Sequence, residues 1–234
     1  MSLKKTPDLY EKLIVQAWDE NGRSWIDAVR DHGIRSPGVA SRDALLAAIN
    51  DHVQPNSRVL DVGCGEGWLV DLLTRSGSRA VGVDASRELI EYAQEHRKGH
   101  YVVGDQSDLA KLGLGIFDLV VCNFSLFGDE TVRRCVMSVP QMLTPGGVLI
   151  IQTLHPMMFS GNEVAKSGWR EGTWAGLPGD FGEPSPLYVR TLADWSRLFS
   201  EAGLVVSRML EPASENPTSK SLIFFISRCV KTDR

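Results

Sequence analysis

The chain lacks most of the patterns that mark common enzyme classes. Its 234 residues hold four cysteines, Cys64, Cys122, Cys135 and Cys229, scattered with no C-x-x-C pair. That spacing excludes a zinc knuckle or a disulfide framework and predicts reduced thiols in a cytoplasm-like compartment. Cys64 and Cys122 read as small buried residues. No G-x-S-x-G elbow occurs, which counts against a hydrolase of that type. No apolar run is long enough to span a bilayer. The start, Met1-Ser2-Leu3-Lys4-Lys5-Thr6-Pro7, has no apolar signal core, so a cytoplasmic location without membrane attachment is expected. A formal net charge of −4 argues against nonspecific binding to nucleic acid or anionic lipid. There are no internal repeats and no metal-ligand spacing, and no metal is expected.

Hydrophobic residues make up 43% of the chain, enough for the substantial core of one domain. The most telling segment is Val59-Leu60-Asp61-Val62-Gly63-Cys64-Gly65-Glu66-Gly67-Trp68-Leu69-Val70. It reads as a buried strand, a tight glycine turn and the start of a helix, which lets a ligand approach backbone N–H groups closely. A dinucleotide fingerprint needs its third glycine at position 68, which is Trp68. The turn suits a nucleoside ligand, and nothing marks it as a pyrophosphate cradle.

The rest of the chain alternates strands and helices. Residues 8–53 show helical spacing, interrupted by the breaker stretch 33–38. Strands are predicted at Arg58–Val62, Arg79–Val83, His100–Val103, Phe117–Cys122 and Val148–Thr153. Helices fall between them at about 67–76, after a Ser86 cap, and at Glu130–Leu143, with Pro145-Gly146-Gly147 as a turn. Such alternation implies a parallel sheet with right-handed crossovers. After a helix at Thr191–Ala202 come strands Leu204–Leu210 and Leu222–Ser227, joined by a helix-free link at 211–220. Without a crossover helix they pair antiparallel, so the sheet ends in a hairpin.

In this order the motifs resemble those of the class I S-adenosylmethionine (SAM)-dependent methyltransferases. They are Val59 to Gly67, Val81-Gly82-Val83-Asp84-Ala85-Ser86, Gly104-Asp105, Phe117 to Asn123, Leu143 to Gly147, and the late pair Leu192 to Trp195 and Phe199 to Leu204. The resemblance covers residues 56 to about 228. It implies an α/β, Rossmann-like sheet of seven strands in the order 3-2-1-4-5-7-6, strand 7 antiparallel, with helices on both faces. It also implies SAM as cofactor and S-adenosylhomocysteine as product. The domain plan expected is a helical lid or cap at 1–54 and a SAM-binding domain at 55–234, with a substrate-lid insertion at 154–190.

Several residues then acquire candidate roles. Asp84 ends the second strand, where a carboxylate can accept from both ribose hydroxyls; a helix N-cap is the alternative. The resemblance extends cofactor binding to Ala85 beside it. Asp105 is implied to accept from the adenine amino group and Gln106 to offer its backbone N–H, against an ordinary N-cap role for Asp105. Asp61 is implied to lie near the cofactor's ammonium group, or else to orient the turn. Gly63 and Gly65 permit close backbone approach. Asn123 ends the fourth strand beside the methionine part of the cofactor, and Arg42 is a candidate for its carboxylate or an acidic acceptor, against a solvated helix charge.

Methyl transfer needs a base only if the acceptor must lose a proton. His155, directly after the fifth strand, is the candidate catalytic residue, with a structural loop histidine as the alternative. The insertion carries Met157, Met158, Phe159, Trp169, Trp174, Phe181 and Tyr188, a mix that suits a small, partly apolar organic acceptor and not nucleic acid. Oxygen is slightly preferred as the accepting atom. The protein is expected to be a monomer or homodimer. Rival readings are an enzyme that modifies the cofactor without methyl transfer, a non-catalytic SAM-sensing protein, and a nicotinamide dehydrogenase.

Overall fold

A computed structural model describes residues 6–32, 39–160, 165–175, 177–212 and 222–229. The breaker stretch 33–38 and most of the link 211–220 lie outside the described residues. Helices α1 (Pro7–Glu20), α2 (Gly22–His32) and α3 (Val39–Asn50) lead into β1 (Arg58–Val62). Then come α4 (Trp68–Arg75), β2 (Arg79–Asp84), α5 (Arg87–His96), β3 (His100–Val103) and a short 3₁₀ helix at Gln106–Leu112. Next are β4 (Phe117–Asn123), α6 (Glu130–Met142) and β5 (Leu143–Leu154). After a second 3₁₀ turn, the hairpin strands β6 (Gly168–Arg170) and β7 (Leu187–Val189) precede α7 (Leu192–Glu201), β8 (Leu204–Leu210) and β9 (Leu222–Cys229).

The main sheet runs β3-β2-β1-β4-β5-β9-β8, parallel through β5, with β9 antiparallel to both β5 and β8. Setting aside the small β6–β7 ribbon, this is the predicted 3-2-1-4-5-7-6 order. Period-two alternation sorts the central strands between two cores. Leu60, Val120, Cys122, Leu149 and Ile151 face α6 and α7, packed by Val132, Val136, Trp195 and Phe199. Val59, Leu119, Val121, Val148 and Ile150 face the other way, onto Leu45 and Ile49 of α3, Leu69 and Val70 of α4, and Ile90 of α5. Cys64, Cys122 and Cys135 are free thiols, all buried.

Local chemistry sets the helix starts. Ser86 accepts from Leu89 N–H, and Leu89, Ile90 and Ala93 form the buried face of α5, as their spacing predicts. Two details differ from the sequence reading. Strand β5 begins at Leu143, not Val148: Phe117 pairs with Leu143 and Leu119 with Val148, so the Pro145-Gly146-Gly147 turn is absorbed as a bulge. The insertion after β5 also holds its own antiparallel ribbon, which pairs Trp169 with Tyr188. Three-residue strands are too short to leave a periodic signal.

The first two helices are tied across the top of the sheet. Asn21, only 1% exposed, closes α1 by donating to Ala17 O (2.7 Å), while its Oδ1 accepts Gly182 N–H from the insertion (2.7 Å). Asp129 makes no side-chain cap at the start of α6. Glu11 of α1 caps it instead, accepting from the N–H groups of Asp129 and Glu130 (2.8 Å each) and from Thr131 Oγ (2.7 Å). Loss of a cap costs about 1 kcal/mol. Glu11→Ala should therefore lower stability by roughly that amount or somewhat more, since three donors lose their acceptor. Urea denaturation followed by circular dichroism measures it, and an unchanged midpoint would show that the cap is replaced by water at no cost.

Candidate functional site

The carboxyl ends of β1, β2 and β4 meet at the glycine turn. Gly63, Gly65 and Gly67 all have positive φ (70°, 56° and 84°), a region costly for side-chain residues. Of the three, only Gly65 has room for a Cβ, whose nearest neighbour would be Trp25 Nε1 in ordinary contact at 3.8 Å. A Cβ on Gly63 would strike Ser125, whose hydroxyl donates to Val62 O (2.5 Å), and one on Gly67 would strike the Tyr101 ring. Gly65 is thus the position that a ligand can approach, and Gly63 and Gly67 are small because the protein itself packs on them.

The turn does not present a row of bare N–H groups. Gly63 N–H and Cys64 N–H both donate to Val83 O (2.7 and 3.1 Å), Gly67 N–H to Cys64 O (3.1 Å), and Gly65 N–H to Asp84 Oδ2 (2.9 Å). This corrects the expectation that a ligand lies against bare backbone N–H groups of the turn. What the turn gathers is acid. Asp61 is 3% exposed and Glu66 2% exposed, with half-buried Asp84 beside them. Burial pushes the Asp61 carboxyl up to about 8, with the charges of Asp84 and Glu66 adding to it. Burial raises Glu66 too, opposed by its own backbone N–H, the Trp25 indole and Arg97. Asp84 is also raised by burial, opposed by N–H groups of Ser86, Gly65 and Ala85. Ala85 therefore takes part through its backbone.

Three side-chain oxygens at these strand ends are buried without a hydrogen-bond partner: Asp61 Oδ1, Glu66 Oε1 and Asn123 Oδ1. Gln106 Oε1, after β3, is a fourth. Native proteins rarely leave such groups unpaired, so their concentration here marks a place built for an incoming donor or cation. Asp105 caps the 3₁₀ helix through Ser107 N–H (2.7 Å), which leaves lone pairs for a second partner. Phe124, just past Asn123, holds φ at 49°, fixed by its N–H on Gln152 O (2.9 Å). Backbone strain of this kind costs roughly 1–3 kcal/mol and clusters at working sites.

Two other candidates sit differently. The Arg42 guanidinium lies 4.6 Å from the centroid of the Trp68 ring, an exposed cation–π contact. His155, 4% exposed, accepts Met157 N–H at Nδ1 (3.1 Å) and meets Glu211 Oε1 at Nε2 (2.9 Å). Both ring nitrogens are engaged within the protein.

Above the turn, helices α1 and α2 and the insertion form an aromatic roof. Trp18 packs edge-on against Trp25 and Trp174 (5.3 Å each) and stacks on Phe127 (5.9 Å), while Trp174 stacks on Phe181 (5.0 Å). The Trp25 indole reaches down to Glu66 Oε2 (3.1 Å). Glu66 is the residue that motif reading passed over. Its signal is a carboxylate between two glycines in an otherwise apolar segment.

Comparison with known proteins agrees with this geometry. Residues 60–151 match the family described as a methyltransferase domain. The chain is 31% identical over 154 residues to a ubiquinone biosynthesis O-methyltransferase of Xanthomonas campestris, spanning 63% of this chain and 60% of that protein. It is 30% identical to the mitochondrial ubiquinone biosynthesis O-methyltransferase of Rattus norvegicus, spanning 68% of this chain and 50% of the relative. The chain thus covers less than two thirds of the length of those relatives. Among solved structures, a SAM-dependent methyltransferase from Mesorhizobium loti superposes with a TM-score of 0.61 at 21% identity, covering 82% of this chain and 98% of that one. A magnesium protoporphyrin IX methyltransferase from Synechocystis with bound SAM superposes with a TM-score of 0.65 at 14% identity, covering 94% and 97%. These two likenesses concern the fold. Among the described residues no helix is long and apolar enough to cross a membrane.

The acid cluster makes a prediction about the ligand-free protein. A carboxyl raised from its ordinary value of 3.8 to about 8 keeps its proton in the native state where the unfolded chain has lost it. Stability is then full below about pH 4 and falls as pH rises towards 8. Asp61→Asn should be more stable than the native sequence by a margin that grows from pH 5 to pH 8 and then levels off. Urea midpoints across that range test it; a margin independent of pH would mean that Asp61 is ionised throughout.

Proposed function

We propose that this chain, a member of the class I SAM-dependent methyltransferases, transfers a methyl group from SAM to a small organic acceptor, with oxygen the favoured accepting atom. The observation that carries this reading is the group of unpaired acceptors around Gly65. SAM offers what they lack: an ammonium, ribose hydroxyls, an adenine amino group and a second positive charge. The residues fit that ligand. Asp84 and its neighbour Ala85 would serve the ribose, Asp105 and Gln106 the adenine, and Asp61 and Asn123 the methionine end, with Gly63 and Gly65 shaping the turn. Three buried acids around a turn whose N–H groups are already used disfavour a pyrophosphate, and so disfavour NAD.

When bound, SAM supplies the electrophilic methyl carbon, so the chain's own work is to orient the acceptor and exclude water. The roof of Trp18, Trp25, Phe127, Trp174 and Phe181 supports both tasks, being apolar and joined to the glycine turn through Trp25. In this reading residues 1–54 contribute the cap and 154–190 the acceptor lid. Arg42 remains a candidate for an acidic group reaching the α3 start. The names of the relatives favour oxygen. Net charge of −4 and buried free thiols accord with a small-molecule enzyme of a reducing compartment, as monomer or homodimer.

His155 needs a revised role. With Nδ1 accepting from Met157 N–H, the proton sits on Nε2 and points to Glu211. The ring is a positioning residue that pins the segment after β5 to the start of the link following β8, and it does not act as the general base. His155→Ala should raise KM for the acceptor severalfold, with the pH profile of kcat unchanged and SAM affinity intact. Disappearance of an acidic limb from that profile would restore the base assignment.

Parallel calorimetric titrations with SAM, S-adenosylhomocysteine and NAD test the cofactor class. The first two should bind and NAD should not; the reverse would overturn the reading. Asp84→Ala should weaken SAM by about 1.5–3 kcal/mol, the scale of a hydrogen bond to a charged group. Unchanged affinity in the folded variant would remove Asp84 from the ribose site.

A further inference from the structure

We propose that Asn21 is a positioning residue through which cofactor binding sets the acceptor lid: the join of α1 and α2 holds the insertion on one side and the turns after β1 and β2 on the other. This rests on the reading that those two turns take an adenosyl cofactor.

Towards the insertion the hold is tight. Asn21 Oδ1 accepts Gly182 N–H at 2.7 Å, and Nδ2 donates to Ala17 O at 2.7 Å and to Glu183 O at 3.3 Å. Ser24 Oγ adds a bond to Asp180 O at 2.5 Å. Residues 180–183 lie outside any helix or strand, so their backbone groups need partners from elsewhere. Asn21, 1% exposed, supplies one acceptor and one donor to that stretch and so sets its path.

Towards the cofactor turns the hold is lighter. Ser86 gives its N–H to Asp84, the ribose candidate, at 2.9 Å and its hydroxyl to Asp19 at 3.3 Å. One residue thus joins the turn after β2 to the last turn of α1. A Cβ on Gly22 would stand 3.0 Å from Glu88 Oε2 and 3.5 Å from Ser86 Oγ, so the start of α2 lies closely on that of α5. Trp25 gives its indole N–H to Glu66, in the turn after β1, at 3.1 Å.

Residues 19–25 therefore reach both cofactor turns and the lid. A ligand shifts an equilibrium only through contacts that differ between its states. Here those contacts are the bonds of 3.1 and 3.3 Å, which an ordered turn keeps and a moving one breaks. A cofactor that satisfies the unpaired acceptors at the strand ends fixes the two turns. Trp25 and Asp19 are then fixed with them, and Asn21, between the two, carries that order to Gly182 and Glu183. Order gained at one site lowers the cost of ordering the next.

The test is amide exchange of the full chain with and without saturating S-adenosylhomocysteine. It is read at Gly182, whose N–H Asn21 accepts, and at Gly65, whose N–H Asp84 accepts. In the native sequence the ligand should slow both about tenfold, the scale of one hydrogen bond gained. The double variant Asp19→Ala/Trp25→Phe cuts the join from the turns and leaves the Asn21 bonds in place. It should keep the slowing at Gly65 and lose that at Gly182, which a purely local role of Asn21 would not produce. Asn21→Ala should exchange fast at Gly182 with and without ligand and keep the slowing at Gly65. Thermal melting checks folding, and the double variant carries the test alone should Asn21→Ala melt early. No slowing at Gly182 in native protein that binds, or equal slowing there in either variant, would overturn the coupling and leave Asn21 a cap for α1. Failure of the native sequence to bind SAM or S-adenosylhomocysteine would instead overturn the cofactor reading beneath it.

Discussion

The carbonyl of Val83 holds the site together. By accepting from both Gly63 N–H and Cys64 N–H it pulls the turn after β1 onto the end of β2, and Gly65 N–H closes the same turn on Asp84. The turn N–H groups so engaged are no longer available to an anion. The same closure gathers Asp61, Glu66 and Asp84, so that Asp84 and Glu66 raise the cost of ionising Asp61, and Asp84 raises that of Glu66. A glycine turn at the mouth of a helix commonly favours negative ligands. Here the sign is reversed, because the backbone dipoles are spent internally and the side chains around them are acids.

The N-terminal helices are bound to this arrangement by polar contacts and not only by the aromatic roof. Asn21 joins the end of α1 to the insertion, Glu11 joins the start of α1 to α6, and Trp25 joins α2 to the turn. Arg190, 6% exposed, completes the frame: it donates to the carbonyls of Gly128 and Asp129 (2.8 and 2.6 Å) and lies 4.9 Å from the Tyr188 ring centroid and 5.2 Å from that of Trp195. Three segments far apart in the chain thus meet through buried, directional bonds. Such bonds specify one arrangement more sharply than apolar contact does, since misplacement strands a buried polar group.

The parallel sheet was legible because its strands are buried on both faces and bounded by glycine, aspartate or proline. Phe117 to Cys122 and Val59 to Val62 could be little else, and their bounds agree with the structure to within a residue. Asp84, which ends β2, and Asp105, just past β3, were legible by position for the same reason, since a charged residue closing an apolar run lies where the strand leaves the core. The roles of Glu66, Asn21 and Glu11 were not, because each depends on a partner 41 to 162 residues away. Nothing local distinguishes a helix-surface glutamate from one that caps a distant helix. For His155 the place after β5 was legible, but position alone did not reveal the contacts of its two ring nitrogens with Glu211 and Met157.

The unpaired acceptors at the strand ends bear on why the fold tolerates them. Burying an acid without a partner opposes folding, and the cost grows as pH exceeds the acid's ordinary value. The two flanking cores, each built on continuous Val, Ile and Leu packing, provide the stability against which that cost is set. A ligand that brings positive charge and hydroxyl donors removes the cost at the moment of binding. The free energy that these unpaired groups forgo is then returned as affinity and as selectivity for a cationic ligand over a neutral or anionic one.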